Sequence, residues 1–492
     1  MTRAPQRTLN PWLILVVVTL GQFMVILDAT IVNVALPTIQ KGLHFSTDNL
    51  QWVVNAYTLT FGGFLLLGGR AGDLFGRKRM FIAGTILFSL ASLLNGFAGS
   101  AAVLVAGRAL QGLGGALIAP AALSVITTSF ADGRDRTLAL GVWSAVAVGG
   151  GAVGLLLGGI ITQLISWQWV FFVNVPVGLA TVLLALRFVP ESRAAGAGRG
   201  VDVGGAIAIT AGLMVLVYAL VNAQSAGWVS GQTLGLAAVS FVLLATFVVL
   251  ELRLRQPLIR LGIFRLRSLT SANLVMLIVA AGMFGMFFFA SIYVQEVLGY
   301  SPIRAGLAFL PVTAGIIAGA GLSQQLIRRI GVRNVGVAGM VIASGGLILL
   351  SRIPVQGTYL GDLFPGLMLM AFGLGLTFVP LTLIATTNVD EADAGLASGL
   401  LNTSQQLGGA LGLAVLSTVA ANATSSALSG LTAAPSVAVR LSALVTGFRA
   451  AFLVSAVLLF AGAVLLAALV RRSDVSEIDT APATEAVAVA AA

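Results

Sequence analysis

Residues Gly68 to Arg79, GGRAGDLFGRKR, set a densely charged turn between two long apolar runs. Glycine permits a sharp chain reversal, and the four basic residues hold that reversal at a water-facing boundary. The surrounding composition says what kind of boundary it is. A chain of 492 residues that is 58% hydrophobic and 9% charged cannot cover a water-soluble surface. A membrane span needs about 20 mostly apolar residues. Fourteen runs near that length follow one another: 12–36, 50–68, 80–98, 102–129, 137–164, 170–189, 203–223, 233–252, 270–297, 305–327, 334–352, 360–388, 396–421 and 447–470. A strand barrel needs alternating segments of about 10 residues, and these Leu/Val/Ala/Gly runs do not alternate. The expected fold is an all-α membrane protein with fourteen transmembrane helices.

An even number of spans puts both termini on one side, and basic residues mark the side that is retained. Of 27 Lys and Arg residues, those outside the tails and connections 2/3, 4/5, 6/7, 8/9 and 10/11 are Lys41, Arg304, Arg352 and Arg440, plus Arg108 and Arg449 within spans. Both termini are therefore expected in the cytoplasm. The acids Asp390, Glu391 and Asp393 in connection 12/13 run against the pattern but weigh little in it. The net charge of +10 is spread over separate turns, so it reads as a topology device and not as a nucleic-acid footprint.

The first apolar run is too long for a signal-peptide core and carries Asp28, so it is expected to remain as span 1. With no cysteine and a single histidine, His44 in a loop, neither a disulfide nor a zinc cluster is expected. Neither lysine, Lys41 or Lys78, stands in a Walker A sequence. No nucleophile–base pair is evident, so neither an enzyme nor a cofactor is expected.

Internal echoes divide the chain. GRKRMFIAG, ending at Gly84, recurs as GVRNVGVAG, ending at Gly339; Pro120 recurs as Pro380; Gly150 and Gly154 recur as Gly408 and Gly412. Repeats with a common direction imply two like halves. The expected organisation is a six-helix bundle over 1–192, a linker with extra helices 7 and 8 over 193–267, a second six-helix bundle over 268–472, and a disordered cytoplasmic tail over 473–492.

Ionisable groups inside spans are functional candidates by default. Asp28 lies eight residues before Leu36 and Arg108 six residues into span 4, so both sit ~10–12 Å below the same face at 1.5 Å per residue. A carboxylate at that depth changes its proton affinity with wetting and with its distance from a cation. A static ion pair joining the two helices is the alternative. In the turn after span 2, Asp73 with Gly69, Gly72, Gly76, Arg77 and Lys78 has the makings of a switch that trades partners between conformations. Small-xxx-small spacing at Gly150/Gly154, Gly408/Gly412 and Gly315/Gly319 signals close helix packing, expected between the halves. Asn33, Gln51, Asn55, Gln111, Asn402, Gln405 and Gln406 are polar residues within or at the edge of spans; they are either cavity-lining groups or interhelical links.

At these residues the chain resembles the major facilitator superfamily, and within it the 14-helix drug:proton antiporter family, over Trp12 to Val470. LDATIVNVALP, Leu27 to Pro37, resembles that branch's helix 1 signature. Gly69, Asp73, Gly76, Arg77 and Lys78 match the superfamily's switch loop. Arg108, Gln111, Gly112 and Gly114 match its helix 4 motif, whose arginine is implicated in proton transfer. Gly150, Gly154, Gly158 and Gly159 match the antiporter motif of helix 5, with Leu155 where proline is usual; SWQWVFFVNVP has Gln168 where arginine is usual.

The resemblance implies a monomeric, proton-coupled secondary exporter of lipophilic drugs or antibiotics in the bacterial cytoplasmic membrane, working by alternating access. Asp28 is then the proton carrier and Arg108 its modulator. Export of an endogenous metabolite or lipid is the near alternative, and a non-transporting receptor or scaffold the remote one.

Overall fold

The apolar runs do become helices, and their ends are set by a few polar and glycine positions. A computed structural model describes residues 10–130, 134–193, 202–254, 257, 261–387, 389, 394–429 and 436–471. The long helices are α1 Pro11–Gly42, α2 Trp52–Phe75, α3 Arg77–Gly96, α4 Ala101–Ser129, α5 Arg134–Leu164, α6 Trp169–Phe188 and α7 Val203–Ala226. They continue as α8 Gly231–Arg253, α9 Arg267–Val297, α10 Pro302–Ile330, α11 Val332–Leu350, α12 Tyr359–Thr386, α13 Ala394–Leu428 and α14 Val437–Leu469. Among the described residues thirteen of these are long and apolar enough to cross a membrane by length and composition, and α5 completes the expected set. Asn10, Ser100, Ser230, Ser301 and Ser436 cap helix starts by accepting a backbone N–H. The acids of connection 12/13 and the tail 473–492 lie outside the described residues.

The two halves share one packing diagram. In the first, α4 packs on α2 and α3, α1 on α5 and α6, and α3 on α6; in the second, α12 packs on α10 and α11, α9 on α13 and α14, and α11 on α14. Each pair becomes its counterpart when eight helices are added. The same glycines make the contact. A Cβ on Gly84 would lie 2.8 Å from the Gly114 carbonyl oxygen, and one on Gly339 would lie 2.7 Å from that of Gly373. The fold is thus two six-helix bundles with two extra helices between them in sequence. The extra pair is asymmetric: α7 packs on α8 and also against α2 and α13, one from each bundle, whereas only 17% of the most apolar stretch of α8 is buried.

The bundles meet along α5 with α10, α2 with α13, and α1 with α9. The expectation that the paired glycines seal this interface needs correcting. Gly154 and Gly158 pack on α1 of their own half, Gly408 and Gly412 on α9, and Gly315 and Gly319 on α12. Small-xxx-small spacing dictates close approach, but not to which neighbour. Of the antiporter-motif glycines, Gly159 makes the crossing: a Cβ there would lie 2.5 Å from the Pro302 carbonyl oxygen of α10. Gly306 of α10 faces the Leu155 carbonyl in turn, so leucine in place of proline leaves a contact between halves.

Polar bonds between the bundles concentrate at the end opposite the termini, and proline explains one of them. Pro37 has no N–H, so the Asn33 carbonyl loses its usual helical donor. Ser291 Oγ of α9 donates to that carbonyl at 2.7 Å, and Gln295 Nε2 donates to the next one, Val34, at 3.0 Å. Close by, Lys41 pairs with Glu296 at 2.8 Å and Ile303 N donates to Gln163 Oε1 at 3.2 Å. A defect within α1 is therefore closed by the opposite bundle. Ser291→Ala should leave the Asn33 carbonyl unsatisfied at a cost of about 1–3 kcal/mol and loosen this end. The chain has no cysteine, so spin labels on cysteines placed at this end of α1 and α9 report the change. The distance distribution should broaden to longer separations; an unchanged distribution would mean the carbonyl has another partner.

Candidate functional site

Asp28 of α1 and Arg108 of α4 do meet. Their side chains are 0% and 2% exposed, the one fully enclosed ion pair of the four among the described residues. The Arg108 Nη1 group donates to Asp28 Oδ2 and, at 2.9 Å, to Gln111 Oε1; its Nε donates to the Val53 carbonyl at 2.9 Å. The guanidinium lies over the Tyr57 ring, 4.3 Å from its centroid, an arrangement favourable to a cation. Asp28 Oδ1 accepts from Gln111 Nε2 at 2.9 Å and Asn174 Nδ2 at 2.8 Å. Ser92 Oγ accepts from both of those amides, and Asn95 Nδ2 donates to Gln111 Oε1.

The network thus draws on α1, α2, α3, α4 and α6. Gln111 has a definite place in it, as the link between acid and base. Ser92, Asn95, Asn174 and Tyr57 are additions from the structure. Ser92, Asn95 and Asn174 carry the same signal as Gln111, a polar residue within an apolar run. Asn174 lies beside a break in α6 at Val173; two residues on, Pro176 has no N–H to close onto Phe172.

The other candidate polar residues do not join this cluster. Asn33 turns its amide back to the Ala29 carbonyl at 3.1 Å and serves the contact between halves through its own carbonyl. Gln51 and Asn55 are buried and joined to each other by a 3.3 Å hydrogen bond. Asn402 is exposed and bonds the Ser398 carbonyl in its own helix. Gln405 and Gln406 are half-buried, and Gln406 packs against Gly62 of α2 across the halves.

The charged turn is a separate site at the end that carries the termini. Gly76, with φ +113°, ends α2 and begins α3. Gly69 and Gly72 need no such freedom; they sit in α2 with ordinary room, and it is Gly68 that presses on the Ala116 carbonyl. Asp73 pairs with Arg77 one turn on, at 3.1 Å. Glu191, just beyond α6, accepts the Lys78 backbone N–H at 3.2 Å at the start of α3, where an anion is favoured, and lies 3.6 Å from Arg79. Lys78 Nζ donates to the Leu186 carbonyl near the end of α6 at 2.9 Å. The second half repeats this last device: Gly331 has φ +84°, and Arg333 donates to the Ala467 carbonyl near the end of α14. A cation at a helix C-terminus complements its dipole.

Burial of an ion pair is costly, and removing one partner costs about 3–5 kcal/mol because the other charge is stranded. Neutralising Asp28 by substitution has the same consequence for Arg108. In a double-mutant cycle followed by thermal unfolding in detergent, Asp28→Asn should lower stability, and adding Arg108→Gln should restore part of the loss. Strict additivity would show the pair to be uncoupled.

Two like six-helix halves, the first built around a buried charge network, make this a multi-pass membrane protein of transporter architecture. It belongs to the Major Facilitator Superfamily, whose family model matches residues 18–413. It is similar to the puromycin resistance protein pur8 of Streptomyces alboniger, 41% identical over 420 residues, covering 85% of this chain and 83% of that one. It is equally similar to the cephamycin export protein CmcT of Amycolatopsis lactamdurans, 41% identical over 414 residues, covering 84% and 85%. Among solved structures, the POT family transporter PepTSo aligns with a TM-score of 0.68 at 17% identity, covering 94% of this chain and 98% of that one, a likeness of fold.

Proposed function

We propose that the protein is a secondary exporter that alternates between two access states and expels a lipophilic drug or antibiotic in exchange for protons. The observation that carries this reading is the enclosed Asp28–Arg108 pair, a buried carboxylate and guanidinium whose hydrogen-bond network draws on α1, α2, α3, α4 and α6. The names of the relatives support the cargo: one confers resistance to puromycin and one exports cephamycin. Those two names each specify a single antibiotic, which supports a dedicated substrate as the second reading.

Both termini face the cytoplasm in this proposal, as the basic connections require. The charged turn at Gly76 and its echo at Gly331 then lie on the cytoplasmic side, and the Ser291–Asn33 hydrogen bond closes the outer side. The chain works as a monomer in the bacterial cytoplasmic membrane. Gly69, Asp73, Gly76, Arg77 and Lys78 form the switch loop, while Gln405 and Gln406 are the candidate cavity groups that remain. One proton moving inward is worth ~2.3 kcal/mol per 100 mV, enough to concentrate a neutral compound outside. Among the described residues of the second half, Glu296 near the end of its helix is already paired with Lys41. Neutral or monovalent compounds are accordingly the expected substrates, and dications should not be the best ones.

The test is drug-dependent proton movement in proteoliposomes, native protein against Asp28→Asn, with folding of both verified. Native protein should move protons when a substrate is added, and the variant should not. Retention of coupled movement by Asp28→Asn would remove Asp28 as carrier. Movement with one compound alone, out of a chemically broad panel, would select the dedicated-exporter reading.

A further inference from the structure

The donors around Asp28 match a carboxylate and nothing else. Its oxygens receive hydrogen bonds from Arg108, Gln111 and Asn174. A neutral carboxylic acid differs in one respect: its new O–H is a donor and needs an acceptor. Inside a fully buried cluster, an O–H without an acceptor is penalised.

The candidate acceptors are few. Gln111 Oε1 already accepts from Arg108 and Asn95, and Ser92 Oγ accepts from two amides. Asn95 Oδ1 is buried without a partner, but the Asn95 amide bonds Gln111, and no hydrogen bond joins it to Asp28. Asn174 alone meets both conditions. Its Nδ2 lies 2.8 Å from Asp28 Oδ1, the residue is 0% exposed, and its Oδ1 is buried with no hydrogen-bond partner. Amide nitrogen and oxygen are nearly equal in size, so a half-turn of the Asn174 amide exchanges donor for acceptor without repacking. Ser92, released from accepting Asn174 Nδ2, can then donate its own hydroxyl to the turned Oδ1.

We propose that Asn174 is a positioning residue for the proton step, a reversible donor–acceptor switch that holds Asp28 in both charge states. This rests on the proton-carrier reading of Asp28 given above. When a proton arrives from water, it bonds to Asp28 Oδ1, the Asn174 amide turns, and the new O–H donates to Asn174 Oδ1. When the O–H bond breaks and the proton leaves to water, the amide turns back and donates to the carboxylate. The charged or titratable groups facing Asp28 are Arg108 of α4 and, through the guanidinium, Tyr57 of α2. The charged residues of α3, α5, α6 and α9 stand at helix ends, away from this level.

Losing Asn174 removes a partner from both charge states: the carboxylate loses the N–H bond it receives at 2.8 Å, and the neutral acid loses its acceptor. Asn174→Leu should therefore leave the Asp28 O–H without an acceptor, a change read at the acid itself.

Infrared difference spectroscopy of the purified, membrane-reconstituted protein over a pH series reads this directly, the Asp28 band being the carboxylic C=O stretch absent from Asp28→Asn. In Asn174→Leu the band should move to higher frequency, as expected of an acid without an acceptor. Asn174→Ser, whose hydroxyl both donates and accepts, should bring the frequency back toward native and guards against misfolding of the leucine variant. Thr181→Val, equally buried two turns further along the same helix and bonded to the Val177 carbonyl, should leave the frequency in place. A native-like band frequency in Asn174→Leu, or a larger change in Thr181→Val, would overturn the proposal while leaving Asp28 as carrier. A native protein with no titrating Asp28 band would instead overturn the carrier reading itself.

Discussion

A carboxylate and a guanidinium placed where water does not reach must satisfy each other, and the first bundle is organised around that requirement. Arg108 cannot be left alone in the interior, so Asp28 on α1, the Val53 carbonyl on α2 and Gln111 on α4 are held in place around it. Asn174 and Ser92 complete the shell from α6 and α3. Whatever neutralises Asp28 strands Arg108, so the stability of this bundle depends on the pair.

The same helix, α1, also reaches the opposite bundle. Asp28 lies less than two turns from Asn33 and Val34, whose carbonyls accept from Ser291 and Gln295 of the opposite bundle. Between them, Thr30 and Ile31 meet Gly154 and Gly158 of α5. Without side chains at these glycines α1 lies close to α5, and α5 in turn touches α10 through Gly159. One helix thus carries the charge, the proline-freed carbonyl and the glycine contact, so a displacement at one is felt at the others.

Much of this was legible in the residues. Long apolar runs, the charged turn at Gly76 and the echoes of Gly84 and Pro120 are local or periodic features, and each reappeared as helices, a positive-φ turn and a repeated packing diagram. Asp28 and Arg108 stood out because charge in an apolar run is rare and their depths can be counted along a helix of known rise. Ser92, Asn95 and Asn174 did not, because serine and asparagine in spans are common and their significance depends on which way each helix turns.

The same limit explains the glycines. Spacing of four residues guarantees a smooth helix face but leaves its neighbour open, and most of the matched pairs pack within a half. Similarly, Gly69 and Gly72 match a motif, while the structure assigns the strained turn to Gly76 and the close approach to Gly68. The sequence by itself determined that this chain lies in a membrane as repeated helices with a buried acid and base, because hydrophobicity, period and charge are properties of the chain. Only the tertiary structure decided which side chains surround Asp28, which glycine bridges the bundles and which serine satisfies the carbonyl freed by Pro37. Those are relations between segments far apart in sequence, set by the rotation of each helix about its axis when the bundles pack.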